Sequence, residues 1–133
     1  MSKLTNTDIQ RYRQRLRAQH AALREHIQSV LRDSKRDELA QLADRVHDRG
    51  EESVADLLAS TSLALIDREV GELGEVEEAL QRIRVGTYGE CETCGDAIER
   101  DRLDANPIAK RCVDCEREHE ARGAGGRDRT PSL

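Results

Sequence analysis

The chain has no Phe and no Trp, and only two Tyr, one Met and two Pro among its 133 residues. Large apolar side chains supply most of the burial that offsets chain entropy, so this scarcity argues against a thick core in one compact domain. Nowhere is there a run of about 18 apolar residues, which excludes a membrane-spanning helix. The opening Met1-Ser2-Lys3-Leu4-Thr5-Asn6-Thr7-Asp8 has neither the apolar run nor the cleavage pattern of a secretory signal, so a cytoplasmic location is expected. An H-E-x-x-H motif, a phosphate-binding Gly loop and a Ser/His/Asp series are all missing, and nothing points to an enzyme. The net charge of -5 runs against nucleic acid as the main partner.

What is present is charge, at 37% of residues, interleaved with Leu, Ile, Val and Ala at helical spacing. That pattern predicts a mostly α-helical, elongated protein: a long antiparallel hairpin with a coiled-coil seam. After a flexible N-terminus over residues 1–8, Ile9, Leu16, Leu23 and Val30 recur every seven residues, with Tyr12, His20, Ile27 and Leu31 between them. The polar stretch from Arg32 to Glu38 interrupts the stripe, which Leu39, Leu42 and Val46 resume. Either one helix with a weak middle or two helices joined near Ser34 accounts for this. Residues 47–53 lack apolar anchors and contain Gly50, so they read as the hairpin turn. The second helix then carries Val54, Leu57, Leu58, Thr61, Leu65, Val70, Leu73, Val76, Leu80 and Ile83, closing the hairpin at residue 85. Within it, Gly71 and Gly74 each cost about 1 kcal/mol relative to Ala, or mark a close backbone approach. Residues 1–47 hold ten Lys or Arg against six Asp or Glu, and residues 48–85 hold four against ten. Opposite charge on the two halves helps set their register, although an exposed pair contributes only about 0–1 kcal/mol.

All four cysteines fall in two Cys-x-x-Cys pairs, Cys91/Cys94 and Cys112/Cys115, with seventeen residues between the pairs. This is the spacing of a structural zinc site in which four thiolates complete a tetrahedron and leave no position for an activated water. Gly86 and Gly89 stop the second helix, Gly95 suits the positive φ of a zinc knuckle, and Pro107 turns the chain toward Cys112. Glu92, Asp104 and His119 are further candidate ligands; disulfides or a redox-responsive site are the competing readings of the cysteines. The histidines, His20, His26, His47 and His119, are scattered and read as surface or seam residues. The zinc-finger module and a short C-terminal helix occupy residues 86–122, followed by a Gly-rich tail over 123–133 expected to be disordered.

A helical hairpin followed by Gly-Thr-Tyr-Gly-Glu-Cys-Glu-Thr-Cys-Gly, then Arg102-Leu103-Asp104-Ala105-Asn106-Pro107, then Cys112-Val113-Asp114-Cys115 resembles the DksA/TraR family of bacterial zinc-finger proteins over roughly residues 42–121. The resemblance implies a regulator that binds RNA polymerase and not DNA sequence. Its zinc module would sit at the rim of the secondary channel and its coiled coil would reach toward the catalytic centre. The family's Asp-x-x-Asp-x-Ala tip falls on Asp48, Glu51 and Ser53, which keeps the charge and alters the geometry. Arg68 matches a basic residue that engages the polymerase rim. Three cations that help bind the alarmone ppGpp fall on Glu75, Asn106 and Glu116, which implies polymerase binding without strong ppGpp synergy. Two other readings are a zinc-ribbon nucleic-acid module using the basic first helix with Lys110-Arg111, and a redox- or zinc-responsive regulator.

Overall fold

The computed structural model describes residues 4–59 and 63–132, with side chains as far as Gly123. Thr61 of the expected apolar stripe and residues 1–3 of the expected flexible N-terminus lie outside the described residues. Six helices follow in order: α1 (Asn6–Asp33), α2 (Asp37–Arg49), α3 (Val54–Leu58), α4 (Asp67–Val85), α5 (Arg100–Ala105) and α6 (Val113–Ser132). Among the described residues no helix is long and apolar enough to cross a membrane.

The long antiparallel pair is α1 with α4. α1 begins with a capping box, in which the Thr5 hydroxyl accepts the Asp8 N–H at 3.1 Å and the Asp8 carboxylate accepts the Thr5 N–H at 2.9 Å. Tyr12, Leu16, His20, Ile27 and Leu31 are its buried stripe. Ile9, Leu23 and Val30, on the sequence-based seam, are only partly buried, so spacing of about four residues describes the buried face better than the heptad. The partner face of α4 buries Leu73, Val76, Ala79 and Leu80. Contacts between His26 and Glu69 at 3.8 Å and between His20 and Glu77 at 2.9 Å fix the antiparallel sense.

The connection between these helices differs from a simple turn. α1 stops at Asp33, where the Ser34 hydroxyl donates to the Leu31 carbonyl at 2.7 Å and Lys35 adopts φ 61°. The Ser34–Arg36 reversal folds α2 back along α1, pairing Arg32 with Asp44 at 3.4 Å and Gln28 with the Ala43 carbonyl at 3.4 Å. Two helices joined near Ser34 is therefore the reading the structure adopts. Residues 47–53 stand beside the middle of α1 and not at an apex; the end remote from the cysteines is formed by the Ser34–Arg36 reversal. The continuous second helix expected over 54–85 is split into α3 and α4, with a turn in which the Ile66 N–H donates to the Leu63 carbonyl at 3.0 Å. α6 runs through Gly123, Gly125 and Gly126 to Ser132, across the stretch expected to be a tail.

Two apolar clusters fill the molecule. The upper one joins Ile27, Leu31, Leu39, Leu42, Val46, Leu58, Ile66 and Leu73 of the bundle. The lower one joins Tyr12, Leu16, Val76 and Leu80 to Tyr88, Ile98, Leu103 and Ala109 of the cysteine module, and Leu23 packs against both. The base is further tied by an ion pair of 2.9 Å between Arg100 of α5 and Asp8 of α1.

Neither helical glycine of α4 is sterically required: a methyl at Gly71 meets nothing within 4 Å, and one at Gly74 makes ordinary contact with Ala55 at 3.7 Å. Gly71→Ala should raise stability by about 0.5–1 kcal/mol in chemical denaturation. The Thr5 N–H, assisted by Arg100 and opposed by burial, holds the Asp8 carboxyl below its ordinary range. Its stabilisation is present above the unfolded-chain value and is lost as pH falls through the lower folded value. Asp8→Asn should therefore be less stable than wild type at neutral pH, with the gap closing in thermal melts below about pH 4.

Candidate metal centre

The turn out of α4 sets up the cysteine module. Gly86 takes φ 86°, the Thr87 N–H donates to the Arg82 carbonyl at 2.9 Å and the Gly86 N–H to the Ile83 carbonyl at 3.3 Å, a Schellman ending. The chain then forms a knuckle: the Cys91 N–H reaches the Asp96 carbonyl at 2.7 Å, the Gly95 N–H reaches the Cys91 carbonyl at 2.9 Å, and Gly95 has the φ of 81° expected of it. Glu90 and Ala97 make an isolated antiparallel bridge across it. The second pair lies at the start of α6, and the Glu92 N–H donates to the Lys110 carbonyl at 2.9 Å, stitching the two halves together.

The four Sγ atoms of Cys91, Cys94, Cys112 and Cys115 lie within 4.8 Å of one another, and Cys94 and Cys112 are 3.9 Å apart. A tetrahedron with metal–sulfur bonds of about 2.3 Å has edges of about 3.8 Å, so the arrangement fits a zinc ion. Burial raises the Cys91 thiol, but the N–H groups of Cys94, Cys112 and Thr93 outweigh it and bring its pKa down to about 6. Backbone donors directed at sulfur favour the thiolate that a metal requires. The other candidate ligands are engaged elsewhere or exposed. Glu92 pairs with Arg111 at 2.8 Å, Asp104 accepts the Tyr12 hydroxyl at 2.5 Å, and His119 is exposed on α6. Among the described residues the four cysteines are the only group of three or more His, Cys, Asp or Glu placed to hold a metal. Zinc held here is structural, because the thiolates fill its coordination.

Around the centre, side chains lock the module to the bundle. Arg111 bridges Glu92 and Glu116, the latter at 3.1 Å, while Arg102 donates to the Arg111 carbonyl at 2.8 Å. The Tyr88 hydroxyl donates to the Pro107 carbonyl at 2.7 Å, and its ring packs against Tyr12 with centroids 5.7 Å apart. Arg15 donates to the Asp104 carbonyl at 2.9 Å. The Tyr12–Asp104 and Arg15–Asp104 contacts escaped sequence reasoning because more than eighty residues separate the partners and no local pattern marks them.

The remaining residues singled out from sequence are dispersed. Arg68 is exposed on the first turn of α4, beside Gly71, Glu72 and Glu75. It lies about 25 Å along the axis from Val85 at 1.5 Å per residue. Asp48 is exposed in the last turn of α2. Glu51 pairs with Arg17 at 2.8 Å, and the Ser53 carbonyl accepts from Arg49 at 2.9 Å. Glu51 and Ser53 share the wall of a groove of about 800 Å³ that Asp48 does not line. His20 is fully buried and bonded to Glu77, a seam role as expected; the Glu77 carboxylate was not foreseen as its partner.

Fold and site together define a helical protein built on a four-cysteine zinc module. Residues 86–121 match the family model described as the prokaryotic dksA/traR C4-type zinc finger. The chain is 30% identical over 127 residues to the RNA polymerase-binding transcription factor DksA of Caulobacter vibrioides, covering 94% of this chain and 84% of that protein. It is 40% identical over 67 residues to general stress protein 16O of Bacillus subtilis, half of this chain and 40% of that longer relative. The fold is similar to that of transcription factor DksA2 from Pseudomonas aeruginosa, with a TM-score of 0.63 and 27% identity over 91% of this chain and 89% of that one. The chain belongs to the DksA/TraR family.

Purified protein should contain about one zinc per chain by elemental analysis, and Cys112→Ser should lose most of it. Chelation should alter tyrosine fluorescence, since the two tyrosines both sit in the base and no Trp masks them.

Proposed function

We propose that the chain is a cytoplasmic regulator of transcription that binds RNA polymerase through the secondary channel, with the residues joining α2 to α3 directed toward the polymerase active site once they leave their seat beside Arg17 and Arg24. The observation that carries this reading is the match over almost the whole chain to a relative named for RNA polymerase binding. The fold likeness to DksA2 over nine-tenths of the chain supports it. In this reading the zinc module is a rigid base, Arg68 supplies a basic contact to polymerase from the far end of α4, and Asp48, Glu51 and Ser53 act on the catalytic region. The protein regulates and does not catalyse.

Synergy with ppGpp is weak in this proposal. Glu75 and Glu116 bring negative charge, and Asn106 none of either sign, to the three positions where the family resemblance places cations. Glu116 is already paired with Arg111 and Arg102, so it does not free those guanidinium groups for a polyphosphate. Direct sequence-specific recognition of DNA has no place in this reading.

Immobilised full-length protein should capture purified RNA polymerase, and ppGpp should change that capture by less than about twofold. Asp48→Asn/Glu51→Gln should keep its zinc content and still capture polymerase, though more weakly, while losing the effect on promoter-complex lifetime. Absence of capture would sink the proposal; capture of DNA or RNA alone, falling steeply with salt, would favour a nucleic-acid module instead.

A further inference from the structure

The segment between α2 and α3 is held almost wholly by polar contacts. Arg17 pairs with Glu51 at 2.8 Å, and the Arg24 guanidinium donates to the Gly50 carbonyl. From the other side, the Glu77 carboxylate of α4 accepts the Val54 N–H at 2.9 Å and contacts His20 Nε2 at 2.9 Å. Arg17, His20 and Arg24 follow helical spacing, so one face of α1 presents all three. Apolar anchorage ends at Val46 and resumes at Val54, leaving Glu51, Glu52 and Ser53 exposed between them.

Other features make this attachment replaceable. Both partners in the Arg17–Glu51 pair are half exposed, at 53% and 52%, so water competes for each. Gly50, at φ 62° with no Cβ and nothing within 4 Å of where one would stand, puts little steric resistance in the way of rotation just after α2. Among the described residues His20 Nδ1 and Arg24 Nε are buried without hydrogen-bond partners, an unmet cost on the face of α1 against which the segment sits.

We infer that residues 50–53 form a releasable segment, clasped by Arg17 and Arg24 of α1 and bounded by the Glu77 contact to the start of α3, whose release hands the Glu51 carboxylate from Arg17 to a cationic group on a partner. Only the identity of that partner rests on the polymerase reading; the clasp stands on contacts within the chain.

Hydrogen exchange on the full-length, zinc-loaded protein tests it. In Arg17→Gln/Arg24→Met, amides of residues 51–55 should exchange about tenfold faster than in wild type, with α1 and residues 86–121 unchanged. Arg32→Gln, which removes the separate ion pair to Asp44, should alter neither region. The charge-swapped Arg17→Glu/Glu51→Arg protein should exchange like wild type. Polymerase capture by the double variant should strengthen about threefold. Equal exchange over 51–55 in wild type and double variant overturns the clasp, as does a rise spreading through α1 and the zinc module. Faster local exchange with capture present but not strengthened overturns the hand-over. Faster local exchange with no capture by either protein upholds the clasp and overturns the polymerase reading.

Discussion

Four thiolates within 4.8 Å repel one another unless a cation sits among them, and much of the base of this molecule depends on meeting that condition. The two cysteine pairs come from a knuckle after α4 and from the start of α6, so one ion closes a loop of seventeen intervening residues. That loop carries Ile98, Leu103 and Ala109, which meet Tyr12 and Leu16 of α1. A chain with so few large apolar residues gains through coordination the fixed geometry that a larger core would otherwise supply.

The bundle above the base uses electrostatics differently. Its exposed ion pairs contribute little one by one, and among the described residues Arg17–Glu51, His20–Glu77 and His26–Glu69 are the pairs that join the basic first half to the acidic second. At mid-height the pattern becomes structural: Glu77 serves a buried histidine and the first turn of α3 with one oxygen. Removing that carboxylate would leave a buried imidazole and a helix start unpaired, a larger loss than an exposed pair entails.

The helical class, the four ligands, the positive φ of Gly95 and the end of α4 at Gly86 were legible in sequence, because each rests on a local rule about spacing or backbone sterics. The reversal at Ser34 was legible only as one of two readings. A polar interruption breaks a stripe without saying whether the chain bends or doubles back, and the choice was made by burial of Leu39 and Leu42 against Leu31. The placement of Glu51 against Arg17 was illegible for a related reason: thirty-four residues separate the pair, and many acids were available to that arginine. Resemblance supplied roles for Asp48, Glu51, Ser53 and Arg68, but the positions those side chains take depend on how α2 folds.

The division of the interior into two apolar clusters bears on how the chain is made. The upper cluster draws on residues from Ile27 to Leu73, so all its members have been synthesised before the first cysteine is added. The lower cluster joins Tyr12 to Cys112 and has to wait for both cysteine pairs. The N-terminal half of α1 thus meets α4 first and gains the rest of the surface it finally covers only when the cysteine module has been made.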